Sequence, residues 1–470
     1  MKKIATLLLA IATVASATAG GLMTNSNQSA AFLRSIARGT TLDTDAVYNN
    51  PAGTAFMADG WHLGINNQMA KQTRTTESTF AAFAMGAKNN GQMTKEYQGE
   101  VFSPLIPSFH LTWKKNRWAV MLGMGVNGGG GTLEYENGLA SFERQFSVLP
   151  AGVSSLGASF GLSANKYDMD MYLKGSSMTI AFQLGAAFRI TDWLSAAALV
   201  RISGTANSYD GYMKNIQINP TCAALGMNGA MMPAAQFFQG VGNLNPALAQ
   251  TAAQYAALTS DHVLDVKQDG TSISPVVALY LQKGKWSASA KYEFKMNSEL
   301  EIKSAEVSAK DPVINAIFAD GSKVKAETPA LLSVAASRQC GPVKVTAEWH
   351  MYFDKDAENS FSTCVEGNTL EYLVGAEWQI SKKWLVSCGV QRTQYDLNKN
   401  AYSDMNFTTS NWSTAIGAAY NFSEKVRINA GIMPTFYEDV TSEGVENGIN
   451  FTDVYSRTSF AWGIGLDFKF

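Results

Sequence analysis

Beyond its first nineteen residues the chain lacks any run approaching the ~18 consecutive uncharged apolar residues that a membrane-spanning helix needs, so a helical membrane protein is excluded. It also lacks charge of one sign: the formal net charge is −2, which removes the electrostatic case for nucleic acid binding. Histidine is scarce. His62, His110, His262 and His350 have no ligand spacing, so nothing supports a metal site, and no motif calls for a cofactor. Cysteine is scarce too. Cys222, Cys340, Cys364 and Cys388 show no tight spacing; four residues allow three pairings and sequence cannot choose among them. Cys222 and Cys364 fall in predicted outer loops and are candidates to pair, but four free or buried thiols is the favoured reading.

What is present begins with a leader. Lys2 and Lys3 precede an apolar run from Ile4 to Val14, and Ala17-Thr18-Ala19 is a small-x-small cleavage site. Residues 1–19 read as a secretory signal peptide, with the mature chain starting at Gly20; Ala15-Ser16-Ala17 offers a second cut. No Cys sits at either cut, which disfavours a lipoprotein anchor.

Hydrophobic residues make up 46% of the chain, yet they are spread through it in alternation rather than gathered in runs. The end of the chain is the clearest case. From Phe460 to Phe470 the even positions are large and apolar, and the odd positions are small or charged. Period two places these sets on opposite faces of a strand. The same pattern recurs at 287–296, 346–353 and 372–380, with charges on one face only. A bilayer imposes that segregation, because a lipid-facing Lys or Arg at the midplane costs ~2–4 kcal/mol.

Short polar turns separate pairs of these strands, at 114–117, 191–192, 282–285, 339–342, 381–383 and 421–425. Trp118, Trp193, Trp286 and Trp384 follow four of them closely, as an aromatic girdle would. Longer connections alternate with the turns: roughly 75–104, 136–171, 212–261, 303–323, 356–367, 398–405 and 439–453. Six short turns and seven long loops predict an all-β fold: a transmembrane antiparallel β-barrel of about fourteen strands spanning residues 59–470, with 212–261 its largest outer loop. Pro104, Pro107 and Pro275 make the second and sixth strands the weakest of these assignments. Residues 20–58 do not alternate. Asn27 is placed to cap a helix from Gln28 to Arg38, and Phe32, Leu33, Ile36, Phe56 and Met57 call for burial, so the segment reads as a plug in the lumen rather than a disordered tail.

The stretch Asp43-Thr44-Asp45-Ala46-Val47-Tyr48-Asn49-Asn50-Pro51-Ala52-Gly53 resembles the hatch of the FadL/TodX family of long-chain fatty acid and hydrocarbon channels, in which an acidic-Ala run leads to an Asn-Pro-Ala-Gly motif just before the first strand. Here that motif is Asn50, Pro51, Ala52 and Gly53, and Trp61 opens the strand. The resemblance implies a bacterial outer-membrane location and a monomeric barrel in contact with outer-membrane lipids. It also implies a ligand groove among the outer loops, a mobile N-terminal segment here matching Gly20 to Asn27, and an inward kink in the third strand that opens the wall sideways. Gly128, Gly129, Gly130 and Gly131 in the third strand are the candidates for that kink; a flexible strand end leading into the second loop is the alternative.

Two motif matches are set aside. Gly123-x-Gly125-x-x-Gly128 fits a dinucleotide fingerprint, but no helix follows it. Gly157-Ala158-Ser159-Phe160-Gly161 fits a nucleophile elbow, but without strand-turn-helix context.

The largest loop has no charge from Asn219 to Ser260 and contains Met227, Met231, Met232, Phe237, Phe238, Leu244 and Leu248. An uncharged Met- and Phe-rich outer loop suggests an apolar capture surface, in which most side chains pack and some meet ligand. For a carboxylate headgroup, face parity puts Arg201 and Lys291 in the lumen, together with Lys344, Arg457, Glu293, Glu348 and His350; mutual pairing of these charges, and of plug Arg34 and Arg38 with Glu293 or Glu348, is the competing expectation. The favoured reading is a non-enzymatic channel for passive uptake of a hydrophobic small molecule such as a long-chain fatty acid. The alternatives are the same barrel carrying an aromatic hydrocarbon or haem, or a lipase or adhesin in the outer membrane.

Overall fold

A computed structural model describes residues 22–157, 161–307 and 319–470; the predicted leader and Ser159 lie outside the described residues. Among the described residues fourteen strands form the wall. They are β1 Gly60–Phe80, β2 Thr94–Lys115, β3 Trp118–Tyr135, β4 Tyr167–Arg189, β5 Leu194–Ile218, β6 His262–Lys283, β7 Trp286–Glu293, β8 Leu331–Cys340, β9 Val343–Tyr352, β10 Thr369–Gln379, β11 Trp384–Gln394, β12 Asn411–Asn421, β13 Val426–Tyr437 and β14 Ile449–Lys469. Each pairs antiparallel with the next, and β1 also pairs with β14, from His62↔Lys469 to Phe80↔Phe451. That contact closes the ring of strands, as a sheet placed in hydrocarbon requires.

Burial is inverted relative to a soluble protein. On β1, Asn66, Gln68, Gln72, Arg74 and Thr76 are buried while Trp61 and Ile65 are exposed. On β14, Asp453, Arg457 and Asp467 are buried while Phe460, Ile464 and Leu466 are exposed. Polar side chains facing in and apolar ones facing out is the arrangement a lipid environment selects. Trp61, Trp113, Trp118, Trp193, Trp286, Trp378 and Trp384 are all exposed near the short-turn end of the barrel, forming one girdle. Asn116, Gly284 and Gly341 adopt the positive φ (54°, 61° and 61°) that two-residue hairpins demand.

The strands run further outward than the sequence pattern predicts. β1 and β2 leave only residues 81–93 between them, and β5 continues to Ile218. Above the bilayer both faces of a strand meet water or loops, so apolar alternation stops while the ladder continues; the pattern therefore ends before the strand does. The third outer loop carries α5 Ala234–Leu244 and α6 Ala249–Leu258, and the second carries α3 Ala140–Ser147 and α4 Leu149–Gly157.

The N-terminal segment lies inside the wall, where every residue from Thr24 to Thr41 is buried. It contains α1 Ala30–Arg34 and α2 Ala46–Asn49. α1 is shorter than expected, and its cap is Ser29, whose hydroxyl accepts from Phe32 N at 3.0 Å. Asn27 faces the wall instead, its side-chain oxygen accepting from Gln68 Nε2 at 2.8 Å. Contact with the polar lumen has taken over the group that an isolated helix would use as its cap.

Candidate functional site

The base of the N-terminal segment is built by the Asn-Pro-Ala-Gly motif. Asn50 Oδ1 accepts from Gly53 N at 3.2 Å, and Asn50 Nδ2 donates to Thr41 O at 2.9 Å. Pro51 starts a short 3-10 turn, where its missing N–H costs nothing. Ala52 is fully buried and its carbonyl accepts from Ser195 Oγ at 2.6 Å, which ties the motif to β5.

Above it sits a charge network. Arg34 is fully buried and donates to Glu377 Oε1 on β10 at 2.6 Å and to Asn429 Oδ1 at 3.1 Å. Arg38 reaches the same Glu377 oxygen at 2.9 Å and both oxygens of Asp45 at 2.9 Å. Asp43 bridges Arg38 (2.9 Å) and Arg427 of β13 (2.8 Å). The plug arginines therefore pair with Glu377, Asp43 and Asp45, not with Glu293 or Glu348. Glu348 instead accepts from Gly39 N at 2.7 Å, and its other oxygen meets His350 Nε2 at 2.7 Å. Alternation over 372–380 turns Glu377 to the lumen face, but the arginines it meets stand hundreds of residues away, so the linear order did not pair them.

The wall is interrupted between β2 and β3. Ladder pairs run from Lys115↔Trp118 to Phe109↔Met124, stop, and resume at Val101↔Leu133. Pro104 and Pro107 fall in the unpaired stretch of β2, and Gly128 to Gly131 in that of β3. Proline has no N–H to give a ladder, and glycine tolerates the bend. On its other side β3 stays paired to β4, with irregularities between Val126 and Gly128 and between Gly129 and Gly131. Gly129 and Gly130 have φ of +64° and +105°, a region L side chains avoid.

The carbonyls that β3 withholds from β2 are taken by the N-terminal segment. Asn25 N donates to Asn127 O at 2.8 Å. Asn25 Nδ2 and Gln28 Nε2 both donate to Val126 O, at 3.2 and 2.8 Å. On the facing edge, Ser108 Oγ donates to Gln28 O at 2.5 Å and Ser103 Oγ to Gly130 O at 2.5 Å. Asn25, Gln28, Ser103 and Ser108 are thus part of the site, though no sequence motif marks them. A cavity of about 70 Å³ lies against Gly128, Gly129, Leu22 and Met23 and extends along the wall past Asn207 of β5 to Gln268 of β6.

The remaining predicted residues divide by neighbourhood. Arg201 and Lys291 come together, but around Glu293. Arg201 pairs with Glu293 and with Gln183 Oε1, and Lys291 stands 2.7 Å from Glu293 Oε1 and 3.0 Å from Tyr48 O. Phe237 and Phe238 of α5 are buried in a large apolar cluster beneath the outer loops, with Met227 and Met232 packed against it. Phe238 stacks on Tyr255 at 5.0 Å between ring centroids. Met231 and Leu248 are half-buried, and Leu244 is 67% exposed.

The same cluster takes in Phe142 and Phe146 of α3, which lies across the mouth. Glu143 of α3 accepts from Lys95 Nζ at 2.5 Å, Tyr97 OH at 2.7 Å and Tyr167 OH at 2.8 Å. Burial opposes its charge, but Lys95, with hydrogen bonds from Asn89 and Tyr97, outweighs that and holds the carboxyl below its ordinary pKa. Cys222 and Cys364 are both buried, in different outer loops. The residues of the dinucleotide-like match lie within β3. Among the described residues no group of three or more His, Cys, Asp or Glu is arranged to hold a metal ion.

No family model matches the chain, and no curated protein matches it in sequence. Solved structures do match in fold. A FadL homologue from Pseudomonas aeruginosa aligns at 15% identity over 96% of this chain and 100% of that one, with a TM-score of 0.62. The P. putida toluene transporter TodX aligns at 14% identity over 92% of this chain and 95% of that one, with a TM-score of 0.55. The Ralstonia pickettii toluene transporter TbuX aligns at 14% identity over 90% and 93%, with a TM-score of 0.50. The likeness runs nearly end to end and is one of fold.

Proposed function

We propose that this chain, whose fold is that of the FadL-like channels, is a monomeric outer-membrane channel for passive entry of hydrophobic small molecules, with long-chain fatty acids as the ligand class. The observation that carries the proposal is the interrupted β2–β3 ladder, whose orphaned carbonyls on β3 are held by Asn25 and Gln28. An apolar solute gains nothing from a water-filled pore and is best delivered sideways into lipid. A wall opening stoppered by a hydrogen-bonded segment supplies such an exit.

Capture would begin at the exposed apolar part of the third loop around Leu244, and proceed through the apolar cluster beneath it. Withdrawal of Leu22 to Gln28 would release Val126 and Asn127 and clear the gap. No step needs a cofactor or an energy source, because the gradient of apolar burial drives the ligand. Cells lacking the protein, and cells complemented with it, would be compared for uptake of radiolabelled palmitate and of toluene. Restored palmitate uptake supports the full reading, and restored toluene uptake alone keeps the channel but changes its ligand. No effect on either, with no amphiphile co-purifying by mass spectrometry, overturns it.

A further inference from the structure

The N-terminal segment does not fill the barrel to its inner rim. At the short-turn end lie two cavities of about 390 and 400 Å³, one against β12–β14 and the other against β6–β10. Leu42, Asp43 and Arg427 line both. Leu42 and Asp43 are half-buried in a segment that is otherwise buried from Thr24 to Tyr48, so here the plug meets the inner mouth.

The rim around these cavities is basic. Lys285 stands on the turn after β6, Lys382 and Lys383 on the turn after β10, Lys425 on the turn after β12, and Lys469 at the end of β14; each borders one of the cavities. All five are exposed, and among the described residues none of their ammonium groups forms an ion pair. Few acids oppose them. Glu424 stands beside Lys425 on the rim, while Glu377 and Asp467 face the lumen and are already hydrogen-bonded. Unpaired cations around a recess with low-dielectric walls focus a positive field into it.

The floor of the recess holds the accessible end of the plug's charge network. Asp43 and Arg427 stand 2.8 Å apart with 25% and 21% of their side chains exposed, whereas Arg34, Arg38 and Asp45 are closed to solvent. A carboxylate arriving from below can therefore reach Arg427 and compete with Asp43 for it.

The spread of the lysines decides what fits. From β7 to β14 the rim runs through seven strand spacings, about 34 Å. A small anion spans only one part of that arc, whereas an extended peptide of about ten residues spans all of it. The cavities are lined by inward-facing Ser337 and Asp467, which places them on the lumen side, away from the exposed Trp girdle and its lipid.

We propose that the inner mouth docks an extended acidic polypeptide segment of a periplasmic partner, whose carboxylates pair with the rim lysines and displace Asp43 from Arg427, loosening the plug from below. This goes beyond the channel reading, since neither the capture loop nor the β2–β3 opening enters it.

The test uses the full-length protein in phosphatidylcholine nanodiscs, with folding checked by heat-modifiable gel mobility. The probes are fluorescein-labelled deca-glutamate and deca-glutamine. Deca-glutamate is expected to bind, more weakly as salt rises, and deca-glutamine is not. The combined variant Lys382→Gln, Lys383→Gln, Lys425→Gln changes only exposed side chains and should weaken deca-glutamate about tenfold, the summed share of three screened surface pairs. Asp43→Asn removes the internal competitor and should tighten it severalfold. Bound deca-glutamate should speed amide exchange from Leu42 to Tyr48 severalfold in the wild type. In Arg427→Gln exchange there should be fast already and indifferent to peptide. Binding that survives the lysine substitutions, or that leaves exchange from Leu42 to Tyr48 unchanged, overturns the proposal. So does equal binding of deca-glutamine. Loss of binding when the nanodiscs contain phosphatidylglycerol would assign the lysines to anionic lipid and overturn it as well. Palmitate and toluene uptake are measured separately in cells, so each of these failures leaves the channel standing.

Discussion

Gly53 has room for a hydrogen and nothing more: a Cβ there would stand 2.1 Å from Asn50 Nδ2. Gly53→Ala is therefore expected to push the Asn50 amide aside and break its bonds to Gly53 N and Thr41 O, at a cost of about 1–3 kcal/mol. Amide hydrogen exchange should speed up over residues 46–57 and stay unchanged in the barrel; unaltered exchange at Val47 and Tyr48 would refute the role given to the motif. Asp354, in the loop after β9, works differently. Burial pushes its carboxyl up to about 6, against the hydrogen bonds it accepts at Thr369. A carboxyl whose folded pKa lies above its unfolded value favours folding when protonated. The benefit is full below about pH 4, the ordinary aspartate range, and is lost as pH rises through about 6. Acidification from neutral pH to the ordinary carboxylate range should accordingly slow exchange at Thr369 in the wild type. Asp354→Asn should exchange slowly throughout, and an equal pH response in both proteins would count against this assignment.

At the scale of elements, the bend in β3 depends on backbone that only glycine adopts cheaply. Gly130 sits at φ +105°. Gly130→Val must strain that angle, by roughly 1–2 kcal/mol, or straighten the strand toward β2. A straightened β3 would close the gap, so palmitate uptake is expected to fall about tenfold, the factor for a shift of roughly 1.4 kcal/mol, while the barrel stays heat-modifiable. Uptake at the wild-type rate would remove the opening from the pathway. Helix α3 offers a second test. Glu143 has its carboxyl held below the ordinary range, so its stabilisation is present above about pH 4.5 and is lost as pH falls further. Glu143→Gln should loosen α3 by about 1–3 kcal/mol and raise the rate of proteolysis within 136–157 at neutral pH. Cleavage no faster than in the wild type would show that Phe142 and Phe146 alone seat the helix.

For the whole molecule, the decisive property is which face of each strand meets lipid. Ile464 points outward and Gly465 inward in the part of β14 nearer its inner end, five residues before Lys469. Ile464→Arg should lower stability against urea, measured in phospholipid vesicles, by ~2–4 kcal/mol if this height is the bilayer midplane. A change under about 0.5 kcal/mol, the ordinary surface value, would place Ile464 outside the hydrocarbon. Closure at β1–β14 also sets the lumen: it places Arg74 opposite Arg457.

Much of this was legible in the order of residues. Period-two alternation fixes which side chains share a face, short polar turns between strands fix the direction of each, and together they specified a fourteen-strand barrel from composition and spacing. The Asn50-Pro51-Ala52-Gly53 motif was legible because the bonds of Asn50 that shape it are local, to Gly53 and Thr41, whereas the tie of Ala52 to Ser195 was not. What the linear order could not reveal was which inward charges would meet. Arg34 chose Glu377 over Glu293, and Arg201 and Lys291 both turned to Glu293. Alternation says only that a residue faces the lumen; its height and angle around the barrel follow from the registers of the ladders once the ring has closed. Likewise the Gly128–Gly131 run announced a bend but not its direction. Only the folded N-terminal segment, offering Asn25 and Gln28 to Asn127 and Val126, showed what replaces the missing β2–β3 ladder.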